Sequence, residues 1–193
     1  MPPVQWPAMP ADLQKHWLEY YKAMEQLSGN MLRLFALALR LPENWFDAKI
    51  DRHRSALRAL NYPELTQDPL PGQIRAGAHT DYGSLTILLQ DTVGGLQVRT
   101  RAGDWQDVPS IPDSYVINLG DLMSRWTNDR WVSTLHRVVN PPSRARRQSI
   151  AFFHNINHDQ VVSCIPTCTD KDHPPKYKDI LACAFTPACF CRC

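Results

Sequence analysis

Apolar residues recur every three or four positions between Asp12 and Leu41: Leu13, Trp17, Tyr20, Met24, Leu27, Met31, Leu34, Phe35 and Ala38. That period predicts one long amphipathic helix with a single buried stripe. Gly29-Asn30 is a candidate bend, because a helical glycine costs about 1 kcal/mol relative to alanine. Pro42 is expected to end the helix, and residues 42–48 to form a short second one. Beyond Arg54 the pattern changes. Short β-rich segments alternate with Gly, Pro, Asn and Asp clusters: Ala56–Tyr62, Ile74–His79, Ser84–Gln90, Leu96–Thr100, Trp105–Val108, Tyr115–Leu119, Thr134–Asn140 and Gln148–Asn155. Short strands punctuated by turns predict a sandwich or jelly roll rather than a parallel α/β sheet. A polar, Trp-containing insert between Asp121 and Val132 reads as a turn or short helix. Pro166 to Pro175 reads as loop.

The chain has 193 residues, enough for one domain with a sizeable core. Hydrophobic residues at 44% and charged residues at 21% match a globular protein. The formal charge of +2 is small and partly local to Arg144, Arg146 and Arg147, so nothing points to nucleic acid. The longest apolar run, Leu34 to Leu39, cannot cross a bilayer. The first residues lack the basic start and apolar stretch of a signal peptide, so a cytoplasmic protein is expected. All six cysteines follow residue 163, unlike a disulfide-stapled domain. The ending Cys189-Phe-Cys-Arg-Cys193 is spaced more tightly than structural zinc sites.

Three residues carry candidate chemistry. His79 and Asp81 are two apart, so an extended segment puts both side chains on one side. His136 lies in the β-rich stretch Thr134-Leu-His-Arg-Val-Val139. Two imidazoles and a carboxylate are the ligand set of a mononuclear non-haem iron(II) site with open positions. Taken alone, the pair also suits a turn cap and His136 a core position. Gly77 and Gly83 flank the pair, as where backbone turns closely around a site. Further on, Arg147 and Ser149 share one strand face with Ala151 and Phe153, while Ile150 and Phe152 face the other way. A guanidinium fork beside a hydroxyl is a carboxylate receptor. Arg147 can equally be the end of the basic turn Arg144-Ala-Arg-Arg147.

The order His-x-Asp, His, Arg-x-Ser resembles the iron(II)/2-oxoglutarate-dependent dioxygenases of the isopenicillin N synthase-like superfamily. The likeness runs from about Ala56 to Asn157. It includes Asn61-Tyr-Pro63, Gly77-Ala-His-Thr-Asp-Tyr-Gly-Ser-Leu-Thr-Ile-Leu-Leu-Gln-Asp91 and Gly94-Gly-Leu-Gln-Val98. Val116-Ile-Asn-Leu-Gly-Asp121, Thr127-Asn128 and Ser133-Thr-Leu-His-Arg-Val138 complete it. The resemblance implies a mainly β fold with N-terminal helices, a double-stranded β-helix (jelly roll) backed by the long amphipathic helix. It divides the chain into a helical segment at 1–53, the oxygenase domain at 54–160 and an atypical Cys-rich tail at 161–193.

It also implies iron ligands His79, Asp81 and His136, a 2-oxoglutarate carboxylate anchored by Arg147 and Ser149, and Tyr62 helping to hold that co-substrate. Asn118, Gly120 and Asp121 match positions that shape the turn before His136. The implied reaction consumes O2 and 2-oxoglutarate, releases succinate and CO2, and hydroxylates or desaturates a small organic molecule. Phe153, Asn155 and Tyr82 are generic candidates for lining its pocket. Two other readings stay open: an isopenicillin N synthase-like oxidase without 2-oxoglutarate, and a non-catalytic jelly-roll module. Relatives carry a further N-terminal segment before the long helix. A chain starting here is expected to be incomplete, with exposed, aggregation-prone barrel surface. Oligomeric state is unreadable.

Overall fold

The fold comes from a computed structural model and is described for residues 5–185. The helical period is realised as α1 (Leu13–Ala38), 26 residues without interruption. Gly29 does not interrupt it, since tertiary packing of the amphipathic face outweighs a cost of about 1 kcal/mol. The buried positions of α1 are Met24, Ser28, Leu32 and Ala36. The inward stripe therefore departs from the predicted one at its C-terminal end, where Leu34 is 60% exposed and Ala38 faces solvent. Ser28 tolerates burial because its hydroxyl donates to the Met24 carbonyl at 2.8 Å.

The helix stops earlier than expected, by a local device. The Leu41 amide donates to the Ala36 carbonyl and the Arg40 amide to the Leu37 carbonyl, with Arg40 at φ 58°. This is a Schellman closure with arginine in the left-handed position usually held by glycine. Pro42 follows the stop and does not cause it. The second helix, α2 (Asp47–Ile50), lies later than predicted.

Eight strands then follow in chain order: β1 (Ala56–Tyr62), β2 (Ala76–His79), β3 (Leu85–Gln90), β4 (Leu96–Arg99), β5 (Trp105–Asp107), β6 (Val116–Leu119), β7 (His136–Val138) and β8 (Arg147–His154). The expected segments at 74–79 and 134–140 are trimmed at their ends. Helix α3 (Asp121–Trp126) fills the polar insert after β6. One antiparallel sheet has the order β1-β8-β3-β6 and the other β2-β7-β4-β5. This mainly antiparallel arrangement is consistent with a jelly roll.

Alternation along the first sheet separates two environments. Leu85 and Ile87 of β3 and Phe152 of β8 join the buried core with Met24, Leu32, Ala36 and Trp126. The opposite face of the same strands lines a cavity between the sheets.

Beyond β8 a short ladder pairs β9 (Val161–Val162) with β10 (Ile180–Leu181), followed by α4 (Ala182–Phe185). Neither is expected of an atypical Cys-rich tail, whereas the loop expected at 166–175 forms apart from a single 3-10 turn at Pro166–Cys168. The connection is held by Asn128, at φ 54°. Its amide donates to the carbonyls of Cys168 and Pro174, and its side-chain oxygen accepts from the Lys176 amide. The Cys189-Phe-Cys-Arg-Cys193 ending lies outside the described residues. Among the described residues no helix is long and apolar enough to cross a membrane.

The corrected stripe gives a direct test. Leu32→Ala should cost about 2–5 kcal/mol in urea unfolding, whereas Leu34→Ala should stay within about 0.5 kcal/mol. Equal losses at both positions would contradict the packing described.

Candidate metal centre and its cavity

His79 ends β2 and His136 begins β7, and the two are cross-strand partners. Their rings sit 4.3 Å apart between centroids. Asp81 follows on the loop after β2, buried at 7% exposure. Ligand atoms of these three residues lie within 4.8 Å of one another. Pairing of β2 with β7 thus joins residues far apart in sequence.

The orientation of each ligand atom has a visible cause. His79 Nδ1 lies 2.8 Å from the Gly77 carbonyl, and His136 Nδ1 lies 3.0 Å from that of Thr134. A carbonyl only accepts, so Nδ1 donates in both rings and Nε2 is the nitrogen left for the site. Asn118 on β6 donates from Nδ2 to Asp81 Oδ2 at 3.0 Å. The other oxygen, Oδ1, is 3.9 Å from His136 Nε2. Two imidazole nitrogens and one oriented carboxylate oxygen suit a divalent metal with open positions.

The loop that carries Asp81 is locked from below. A Cβ on Gly120 would fall 2.0 Å from the Gly83 carbonyl, and one on Gly83 would fall 2.3 Å from the His154 carbonyl. Only glycine permits these approaches. The Asp121 amide donates to the Asp81 carbonyl at 2.7 Å, and Thr80 Oγ1 donates to Asp121 Oδ2 at 3.0 Å. Asn118, Gly120 and Asp121 therefore shape the Asp81 loop, and Gly120 and Asp121 also open α3 in the segment that leads to His136, as expected. Gly77 has open space around it and contributes its carbonyl instead.

Beneath this loop runs a buried polar chain that sequence reasoning missed. Ser84 Oγ lies 2.7 Å from His154 Nδ1. The His154 ring is 5.0 Å from the His53 ring, and His53 Nε2 is 3.2 Å from Glu25 of α1. Burial, with His53 as a lesser cause, pushes His154 down to about 3. Burial also lowers His53, partly opposed by Glu25. Scattered histidines gave no sequence signal for this chain.

Arg147 and Ser149 begin β8. Arg147 is only 1% exposed. Its Nε donates to the Gly94 carbonyl at 2.9 Å, Nη1 to Ser149 Oγ at 3.2 Å and Nη2 to Gln90 at 3.2 Å. Gly94, at φ 82°, turns its carbonyl toward the guanidinium in a conformation that favours glycine. Three of five guanidinium N–H groups are used, leaving two for a ligand. Desolvation lowers the Arg147 pKa, opposed by Tyr62 and Asp91. Tyr62 is its register partner on β1, with the ring 5.5 Å from Cζ.

One cavity of about 440 Å³ contains His79, Asp81 and His136 together with Arg147, Ser149 and Tyr62. Phe153 lines it as expected. Asn155 and Tyr82 do not: Asn155 donates to the Arg54 carbonyl, and Tyr82 is 52% exposed. Most of the remaining wall is aliphatic, including Leu60, Leu88, Leu96, Val98 and Val116.

The family model described as the 2OG-Fe(II) oxygenase superfamily matches residues 54–156, slightly more than half of the chain. The chain belongs to this superfamily. The 2-oxoglutarate-Fe(II) type oxidoreductase hxnY of Emericella nidulans is 43% identical over 92% of this chain and 52% of its own length. A homoarginine-6-hydroxylase of Arabidopsis thaliana is 38% identical over 88% of this chain and 52% of its own. The crystal structure of a full-length Neurospora crassa protein in complex with alpha-KG superposes with a TM-score of 0.89 at 37% identity, covering 93% of this chain and 58% of the Neurospora chain. The chain spans about half the length of the curated relatives it matches.

Two outcomes test this geometry. Asn118→Ala should weaken divalent metal binding by roughly 10–100-fold with the fold intact, measured by competition against a chelating dye. Metal-free protein should lose stability in urea as pH falls from about 6.5 toward 3. The sign follows from a depressed histidine: the fold holds His154 neutral, while the unfolded chain takes the proton. His154→Gln should flatten that slope.

Proposed function

We propose that this protein is an iron(II)- and 2-oxoglutarate-dependent oxygenase acting on a small organic molecule. The observation that carries the reading is a single cavity holding both a His-Asp-His donor set and a buried Arg-Ser pair. His79 and His136 would hold iron through Nε2, and Asp81 through Oδ1. Arg147 and Ser149 would receive the distal carboxylate of 2-oxoglutarate. Tyr62 would keep the guanidinium in place from its open side.

With O2, a bound iron and 2-oxoglutarate would supply the oxidant, 2-oxoglutarate being converted to succinate and CO2. The chain's own part is positional. Asn118 fixes which Asp81 oxygen faces the metal. Gly94, Gln90 and Ser149 pin Arg147, so the carboxylate meets a receptor already formed. The aliphatic walls limit water around the reacting centre. The Neurospora crassa protein was captured with alpha-KG and thymine, and the Arabidopsis relative is a homoarginine-6-hydroxylase. These relatives support a small-molecule substrate without specifying it. The alpha-KG complex favours 2-oxoglutarate dependence over the oxidase alternative.

The test is anaerobic. Iron(II) with 2-oxoglutarate should produce a visible charge-transfer absorption in the wild type and none in Asp81→Ala. Arg147→Ala should raise the Kd for 2-oxoglutarate roughly 30-fold or more, about 2 kcal/mol for a truncated buried charge contact. Iron binding without that absorption would favour an oxidase. Folded protein that binds no iron would refute an oxygenase function.

A further inference from the structure

A second arginine reaches the same cavity. Arg58 on β1 alternates with Leu60 and Tyr62, and all three line it. In register, Arg58 lies opposite Ala151, two positions from Ser149 and four from Arg147. Its Cζ lies 5.6 Å from the centroid of the Phe153 ring, another lining side chain. Among the described residues no hydrogen bond or ion pair engages Arg58, whereas Arg147 is held by three. Among those same residues Asp81 is the only acidic one along the cavity, and Asn118 already orients it.

Charge balance turns this into a statement about the substrate, resting on the function proposed above. A divalent iron, the Asp81 carboxylate, doubly charged 2-oxoglutarate and the Arg147 cation sum to zero. Arg75 and Asp91, which act on Arg147 from outside the cavity, also cancel. Arg58, which lines the cavity from the edge strand β1 and is exposed to solvent there, is the cation left without a counter-charge. An exposed guanidinium gains little from a lone charge in water, but a carboxylate that pairs with it bidentately against the apolar wall also shields the pair from solvent.

We propose that Arg58 is a specificity-determining residue that binds a carboxylate on the substrate, so that this chain acts on a monoanionic acid rather than a neutral molecule. The Phe153 ring beside it favours acids whose carboxylate sits on a flat, unsaturated framework. Guanidinium and carboxylate pair through two parallel hydrogen bonds, which fixes the acid's direction as well as its presence.

The experiment uses the full chain under anaerobic conditions with iron(II) and 2-oxoglutarate. Benzoate, phenylacetate and indole-3-acetate are each titrated against their primary amides. Binding is read by perturbation of the charge-transfer absorption and by calorimetry. Acids should bind at least tenfold more tightly than their amides. Arg58→Leu should abolish that preference, Arg58→Lys should restore part of it, and the affinity for 2-oxoglutarate should be unchanged in both. Equal binding of acids and amides, binding of neither, or an undiminished preference in Arg58→Leu would overturn the assignment. Absence of the absorption in the wild type would instead refute the underlying oxygenase reading.

Discussion

Strand β8 has to satisfy two incompatible neighbourhoods at once, and the rest of the molecule is arranged around that demand. Ala151 and Phe153 complete a cavity wall that begins at Arg147 and Ser149, while Phe152 and His154 lie among the residues packed under α1. A shift of one residue would send a guanidinium into the apolar core and a phenyl ring into the cavity. Pairing on both sides, with β1 and β3, makes that slip costly. The long helix matters mainly because it covers the apolar side of this strand.

Rigidity at the metal centre is borrowed from backbone, not from bulky side chains. The two histidine rings are steered by carbonyls of their own segments, two residues upstream in each case. The aspartate is steered by a neighbouring strand, through Asn118. Glycines at 83 and 120 let three backbone segments touch directly beneath the loop. Such a centre is set as the sheets form, which lowers the entropy to be lost when ligands arrive.

Much of this is legible in the chain. Short β-rich segments set between Gly, Pro, Asn and Asp clusters mark the eight strands, because turn-forming residues punctuate an antiparallel sheet. His79-Thr-Asp81, His136 and Arg147-Gln-Ser149 stand out because their residue types, spacing and order make up a metal-ligand set and a carboxylate receptor. What escapes has physical reasons. The helix end at Arg40 uses a left-handed arginine, which no composition rule anticipates. Asn118 looks like a turn residue because its partner is 37 positions away, on another segment. The Glu25-His53-His154-Ser84 chain joins four distant stretches and has no local pattern. Arg58 reads as one more residue of a strand, and only register across the sheet brings it to the cavity.

Asn128 has a consequence for how the chain tolerates change. Its one side chain grips both ends of the excursion between Cys168 and Lys176. The intervening residues thus form a loop closed at its base, whose length is invisible to α3 and to the barrel. Loop closure penalises added residues only logarithmically. This excursion is therefore the natural place to graft a peptide, tag or sensor module, since whatever is inserted there hangs from a clasp already shut.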